Sequence, residues 1–345
     1  MSRSQLTSTV EQNTGGAVAP FVAGKNKIIN GDFGVWQRGT SISLTTGTAA
    51  YTSDQWNVVC NFSAGTASAS QQTFTPGTAP VAGYEGTYFH RVTTGSTSTY
   101  IEVKQNIENV RTYAGQTVVL SFWAKASTAM TSSTLFRQEF GSGGSTLVDT
   151  SGASLSITTS WQRFTTSVTL PSISGKTIGT SSMLRVYPIS VSGTFTSATV
   201  DIWGVQFEAG SVATPFTTAT GTLSGELAAC QRYFAKSYNL DVAPATNTNP
   251  NGLVMMQSGN VGSSSYFGNV LFPVTMRTAP TITIYSYAFG VAAKVSDGSG
   301  ADLAANSGGT NIIGNRSFAI QNNSGGSITA STGGFVFHYT ASAEL

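Results

Sequence analysis

Charge is what this 345-residue chain has least of: Asp, Glu, Lys and Arg make up 9% of it, against about a quarter in an ordinary soluble domain. Fifteen acidic and seventeen basic residues leave a net charge of +2, too weak a field to hold a polyanion by counterion release. Nucleic acid is therefore not an expected partner. Histidine occurs only at His90 and His338, neither with a second metal ligand two to four residues away, so no zinc site is readable. Cysteine occurs only at Cys60 and Cys230, too sparse for a disulfide scaffold, and both are expected as buried thiols. No apolar run approaches the ~18–20 residues that cross a bilayer, and Met1–Pro20 lacks the basic and apolar regions of a secretory signal. The expectation is a chain neither exported by a signal peptide nor inserted in a membrane.

What fills the space is Gly, Ser and Thr, the composition of strands joined by many turns. At about 100–200 residues per domain, the length suits two domains. Between residues 26 and 218 the hydrophobicity alternates with the period of a strand. Val118, Leu120, Phe122 and Ala124 would face one way and Val119, Ser121, Trp123 and Lys125 the other; Phe164, Thr166, Val168 and Leu170 repeat the pattern. Turn signals at Gly141–Ser145, Ala114–Gly115 and Ser174–Gly175 separate these runs at intervals that suit a two-sheet sandwich. All five tryptophans (36, 56, 123, 161 and 203) fall in this segment, which puts a boundary shortly after Phe216. Most of them sit beside apolar neighbours, and core packing is their expected role.

The remaining chain divides into three parts. Residues 1–25 form a polar arm with one short apolar cluster, Val18, Pro20, Phe21 and Val22, expected to dock on a neighbouring subunit or a larger assembly. Residues 219–237 hold the one helical stretch, with Ser224 placed to cap it, Glu226 in its first turn, and Leu227, Cys230 and Phe234 on one face. Three turns are too few to stand alone, so the helix must pack on its own chain or on symmetry-related copies. Residues 238–345 read as a second β-rich unit, with strands around Val270–Val274, Thr281–Tyr285, Ser317–Ile320 and Gly334–Thr340, and long loops of Asn, Ser, Gly and Asp. Polar loops on a rigid sandwich suit recognition, and the aromatics expected to be exposed beside them are Tyr238, Tyr266, Phe267, Tyr285 and Tyr287.

Catalytic chemistry is poorly supplied. No Gly-x-Ser-x-Gly elbow precedes a helix, and each histidine lies in an expected strand. Glycoside cleavage needs two carboxylates about 5–10 Å apart, and nothing in the spacing sets any two acids in such a pair. The expectation is no enzyme.

Two motifs bracket the first unit: Asn26-Lys27-Ile28-Ile29-Asn30-Gly31-Asp32-Phe33-Gly34-Val35-Trp36-Gln37-Arg38-Gly39-Thr40 opens it and Ile202–Phe216, with Val205-Gln206-Phe207-Glu208-Ala209-Gly210-Ser211, closes it. Together they resemble the carbohydrate-binding-module-like jelly roll of tail-fibre and related virion proteins of tailed bacteriophages, in which they mark the first and last strands. Gln105–Glu108 and Leu120–Ala126 look like middle strands of that family, and Met276-Arg277-Thr278-Ala279-Pro280 resembles a segment near the ends of other fibre chains. The resemblance implies an all-β chain: an extended arm, a jelly-roll β-sandwich, a short helix and a second β-sandwich at the tip. It also implies a homotrimer, with the helix packed against its copies, and a non-enzymatic tail or head fibre whose arm binds other virion proteins and whose tip binds host-surface polysaccharide. The alternative is a decoration or collar protein that binds virion proteins alone. Because carbohydrate-binding jelly rolls often hold a structural calcium near the first strand, Asp32, Asp201 and Glu208 are its candidate ligands, although the preferred reading of Asp32 is that it closes a turn after Asn30-Gly31.

Overall fold

The computed structural model describes residues 24–81, 84–247, 250–256, 260–330 and 334–345. The expected docking cluster of Val18, Pro20, Phe21 and Val22 lies outside them. Twelve strands build the first unit: β1 (Ser41–Leu44), β2 (Ala50–Tyr51), β3 (Trp56–Ala64), β4 (Ala67–Thr73), β5 (Tyr88–Thr93) and β6 (Thr97–Glu108), then β7 (Thr117–Ala126), β8 (Met130–Glu139), β9 (Val148–Ile157), β10 (Gln162–Thr169), β11 (Met183–Phe195) and β12 (Thr199–Ala209). They form two antiparallel six-stranded sheets, β1-β4-β5-β12-β7-β10 and β2-β3-β6-β11-β8-β9, stacked as a jelly-roll sandwich. The alternation in β7 works as the pattern requires: Val118, Leu120, Phe122 and Ala124 enter the core between the sheets, with Trp56, Phe136, Val186 and Phe207. Each fully buried side chain of this size contributes roughly 1.5–3 kcal/mol. Cys60 is a buried free thiol in the same core.

The other face of the first sheet is covered along β7 and β12. Val119, Ser121 and Trp123 are buried too, because Trp123 joins Phe74, Phe89, Trp203 and Phe216 in a second aromatic cluster on the outer side of that sheet. Four of the five tryptophans are buried, and Trp161 packs at the edge of this outer cluster.

The opening motif departs from the expected first strand. Residues 26–40 are a run of turns, and the first strand begins only at Ser41. Asn30 and Phe33 take left-handed backbone angles (φ 55° and 58°), and the Asn30 amide ties the turns together. It donates to the carbonyls of Val35 and Asp54 at 2.9 and 3.0 Å and accepts from the Val35 N–H at 2.9 Å. Gly31 must be glycine because its carbonyl accepts from the Val205 N–H at 2.9 Å, so close to β12 that a Cβ would strike the Val205 carbonyl. The residues that the resemblance marks as the first strand are instead a largely buried plug of turns against β12.

Helix α1 (Leu223–Gln231) follows, capped by Thr222, whose hydroxyl accepts from the Gly225 N–H at 3.1 Å, rather than by Ser224. Its buried residues are Glu226 and Cys230. Glu226 accepts from the Asn30 N–H at 2.7 Å and from the N–H and hydroxyl of Thr220 at 2.7 and 2.8 Å, so the helix is anchored within its own chain.

The second unit contains β13 (Phe234–Lys236), β14 (Val254–Met256), β15 (Asn260–Val261), β16 (Tyr266–Leu271), β17 (Thr281–Ser286), β18 (Ser296–Asp297), β19 (Gly309–Asn311), β20 (Ser317–Gln321), β21 (Ile328–Thr329) and β22 (Phe335–Ser342). β22 is its hub, pairing with β13 and β14 along one edge and with β17 and β18 along the other. The sheet β16-β20-β19 closes over a core of Phe272, Phe318, Ile320, Phe335, Phe337 and Tyr339. The unit begins before residue 238, because β13 already lies in its main sheet.

The two units are locked by a polar joint. Arg38 donates to Glu344 at 2.6 Å, lies 3.5 Å from Asp54, and stacks over the Phe234 ring at 3.7 Å. Gln37 bridges Asp54 to the Phe234 carbonyl at 3.1 and 2.6 Å, while Tyr51 and Asn106 donate to the Leu345 carbonyl at 2.8 and 2.9 Å.

Candidate functional site

A cleft of 590 Å³ opens where three pieces meet: the plug of residues 32–36, the Tyr84–Tyr88 approach to β5, and the junction formed by α1 and the Leu240–Asp241 loop. That is within the size range of small-molecule sites, about 300–1,000 Å³. Its walls offer the rings of Trp36, Tyr84 and Tyr88, the carboxylates of Asp32, Glu85 and Asp241, the Gln71 amide, and the hydroxyls of Thr40, Thr87 and Ser224. Apolar Leu227 and Leu240 complete it.

Packing behind the cleft fixes these groups. Trp36 stacks on His90 with ring centres 5.3 Å apart, and its indole N–H donates to the Phe33 carbonyl at 2.9 Å. His90 is fully buried, accepts or donates to the Thr52 hydroxyl at 3.0 Å, and is lowered by burial to a pKa of about 3, so it stays neutral. Tyr84 rests against Trp203 and Phe216 at 5.4 and 5.6 Å, linking the cleft to the outer aromatic cluster. Gly86 lies so close under Trp203 that a Cβ there would sit 2.9 Å from the indole. Glu85 accepts from the Gly77 N–H at 3.1 Å, which holds the approach loop.

The electrostatics have one sign. Burial raises the Asp32 carboxyl above its ordinary range, and the Glu226 carboxylate behind it raises it further. Burial also pushes the Tyr84 hydroxyl up to about 12, helped by Asp32 and Glu226. Lys236 is buried in the junction, where it feels the Asp241 charge; its ammonium donates to the Leu240 and Val242 carbonyls at 3.1 and 2.5 Å, and burial lowers it to about 8.

The calcium candidates are not brought together. Asp32 lines the cleft, whereas Asp201 is gripped by Arg91 at 2.7 and 2.8 Å with Lys125 at 3.7 Å. Glu208 accepts from Thr214 and Gln206 and pairs with Lys25 at 3.2 Å. Pairing partners rather than strand order decide this: Asp201 and Glu208 lie at opposite ends of β12. Among the described residues, no group of three or more His, Cys, Asp or Glu side chains is placed to hold a metal ion. No helix among them is long and apolar enough to cross a membrane.

The aromatics expected at the tip also separate. Tyr238 is 3% exposed rather than open, stacked on His338 at 3.7 Å with its hydroxyl accepting from the Ala245 N–H. Burial won because β13 draws it into the main sheet's flank. Phe267 packs edge-on against Phe335 at 4.6 Å as part of the core wall. Tyr285 is half-buried near Tyr238, and Tyr287 lies beyond the end of β17. Only Tyr266 is well exposed, at 47%. The last unit does have a groove of 430 Å³ beside Thr283, Asn306, Thr310 and Asn323, but among the described residues no aromatic or charged side chain lines it. Sequence reading missed the cleft because its walls come from five separated segments; Trp36 and Asp32 inside one motif were its only local signal.

No family model matches the chain, and no curated protein matches it. Among solved structures it is similar to the enzymatically active domain of tailspike protein 4 of bacteriophage CBA120, at 12% identity and TM-score 0.34, over 54% of this chain and 21% of that one. It thus spans about a fifth of that protein. It is also similar to the CBM22-2 xylan-binding domain of Paenibacillus barcinonensis Xyn10C (16%, TM-score 0.32, 53% of this chain and 97% of that one). A third is a cyclase from Fischerella sp. TAU in complex with 4-(1H-indol-3-yl)butan-2-one (14%, TM-score 0.34, 50% and 100%). Likenesses this distant assign neither ligand nor activity to this chain.

Proposed function

We propose that this chain is a non-enzymatic glycan-binding protein of the phage virion, a tail or head fibre anchored by its N-terminal arm, and that its sugar site is the junction cleft rather than the loops of the last unit. The observation that carries the glycan reading is the cleft's lining: three aromatic rings beside carboxylates, an amide and hydroxyls, in a volume that takes a short oligosaccharide. Rings cover the apolar faces of pyranoses while the polar groups read their hydroxyls. The virion context rests on the bracketing motifs described above. Assembly as a homotrimer would multiply a weak single-site affinity.

Removing the last unit is a poor test, because it would strip Phe234 and Glu344 from buried partners on the jelly roll. Calorimetric titration of the full chain with host surface polysaccharide, beside Tyr88→Ala and Gln71→Ala, is the better one. Saturable binding weakened about tenfold or more by Tyr88→Ala supports the cleft, since loss of one stacking ring costs on the order of 1–2 kcal/mol. Binding unchanged by both variants would move the site elsewhere.

The second reading, a decoration or collar protein, is favoured by the apolar side chains the last unit leaves in water: Met255, Leu271, Phe289 and Ile312 are 66–75% exposed. Under that reading the folded chain would bind no polysaccharide and would co-assemble with other virion proteins.

A further inference from the structure

Every ionisable side chain lining the junction cleft is an acid or a tyrosine: Asp32, Glu85 and Asp241, with Tyr84 and Tyr88. Glu226 adds a fourth carboxylate directly behind the wall, where it is 2% exposed and held by Asn30 and Thr220. Among the described residues no Lys, Arg or His lines the cleft, although basic residues outnumber acidic ones in the whole chain. The acidity is therefore local and arranged by the fold, which gathers acids from four separate segments. Resting on the cleft being the sugar site proposed above, we infer that its ligand is a glycan bearing a protonated amine, an amino sugar or an amine substituent, and that it rejects glycans carrying carboxylate or phosphate.

Two independent features agree on that chemistry. A concave wall of carboxylates attracts a cation and repels an anion, more strongly than on an open surface because the low-dielectric walls focus the field. Trp36, Tyr84 and Tyr88 line the same cleft, and an aromatic ring favours a cation held over its face above a neutral group of the same shape. The Asp32 carboxyl and Tyr84 hydroxyl are raised chiefly by burial, and neighbouring carboxylates, Glu226 for both and Asp32 for Tyr84, add to the shift. Lys236 feels the charge of Asp241 and offsets part of it, but the residue is 6% exposed and its ammonium is engaged with the carbonyls of Leu240 and Val242. Glu85 and Asp241 lie exposed at the rim, where they would meet an entering amine first.

The test is a calorimetric comparison of the full-length protein with three sets of probes at pH 5.5 and low salt: glucosamine and galactosamine oligomers, their N-acetylated counterparts, and oligogalacturonate. The expected result is binding of at least one amine series about tenfold or more tighter than its N-acetyl form, with no binding of the uronate. Glu85→Gln with Asp241→Asn, two exposed and nearly isosteric changes, should weaken amine binding much more than N-acetyl binding and so narrow that preference, and added salt should do the same in part. Equal affinity for the amine and N-acetyl series, lost in Tyr88→Ala, would overturn the charge selectivity and leave the cleft as a sugar site. Amine binding indifferent to Tyr88→Ala and to the Glu85/Asp241 pair would overturn both. Binding of oligogalacturonate, or failure of every amine series to bind, would overturn the inference.

Discussion

The jelly roll and the last unit are both antiparallel β-structures, yet they reach stability differently. The jelly roll has strands of up to 13 residues, two full sheets, and apolar packing on both sides of one of them. The last unit has six strands of three residues or fewer and hangs four strand pairings on the single strand β22. A sheet so short in its ladders leans on its neighbour, and the neighbour supplies Arg38, Gln37, Tyr51 and Asn106 to hold its β13 and its final residues. The lesson is that a polar joint, not a shared apolar core, couples the units, and that the cleft exists because the joint holds them at a fixed angle.

The strongest way to break the coupling is Arg38→Ala. It leaves the Asp54 and Glu344 carboxylates, both nearly inaccessible, without their guanidinium, and deletes the stack on Phe234. A loss of about 3–5 kcal/mol is expected, with the last unit melting first, so that one calorimetric transition becomes two. A single transition at unchanged temperature would show that the units are not coupled there.

Acid sharpens the contrast next. His90, buried in the jelly roll beside the cleft, has its pKa lowered to about 3, so the folded state refuses a proton that the unfolded chain accepts below about 6.5. Its contribution is full above the unfolded value and is lost as pH falls through that window, by up to about 3 kcal/mol at pH 4. His90→Gln should therefore melt below the parent at pH 7, with the gap narrowing or reversing toward pH 4. Asp54 and Glu344 act in the opposite sense: burial raises both, so their effect favours the fold as pH falls. A gap between variant and parent that does not change with pH would rule out the neutral buried imidazole.

Gly86→Ala probes the seam between cleft and outer cluster. The added methyl meets the Trp203 ring 2.9 Å away, and a destabilisation of about 1–3 kcal/mol is expected, with a change in tryptophan fluorescence. The smallest effect belongs to the surface: Arg137→Ala removes a bidentate pair with Asp149 between β8 and β9, and less than about 1 kcal/mol should be lost, fading in salt. A larger loss there would mean that sheet edges, not the joint, limit stability.

Much of the fold was legible. Alternation placed β7 and β10, and three of the last unit's longer strands, β17, β20 and β22, were read near their positions, while the run expected at Val270–Val274 meets only the end of β16. The failures have physical causes. Residues 26–40 read as a strand, but left-handed Asn30 and Phe33 and the close approach of Gly31 to β12 turn them into a plug. Tyr238 read as exposed among polar loops, but pairing of β13 with β22 carried it onto His338. Little of the candidate site was legible, since Gln71, Tyr84, Glu85, Leu227 and Asp241 share no spacing that a linear pattern can show.

The sequence by itself determined the class of the fold, the buried state of both cysteines and the strand faces that build the first core, because side-chain period and local turn chemistry act over a few residues. Only the tertiary structure decided which acids meet. It gave Asp201 to Arg91, Glu208 to Thr214 and Lys25, and Glu344 to Arg38, and left Asp32, Glu85 and Asp241 facing one cleft. A charge's partner is set by distance in space, and folding brings together residues as far apart in the chain as Arg38 and Glu344.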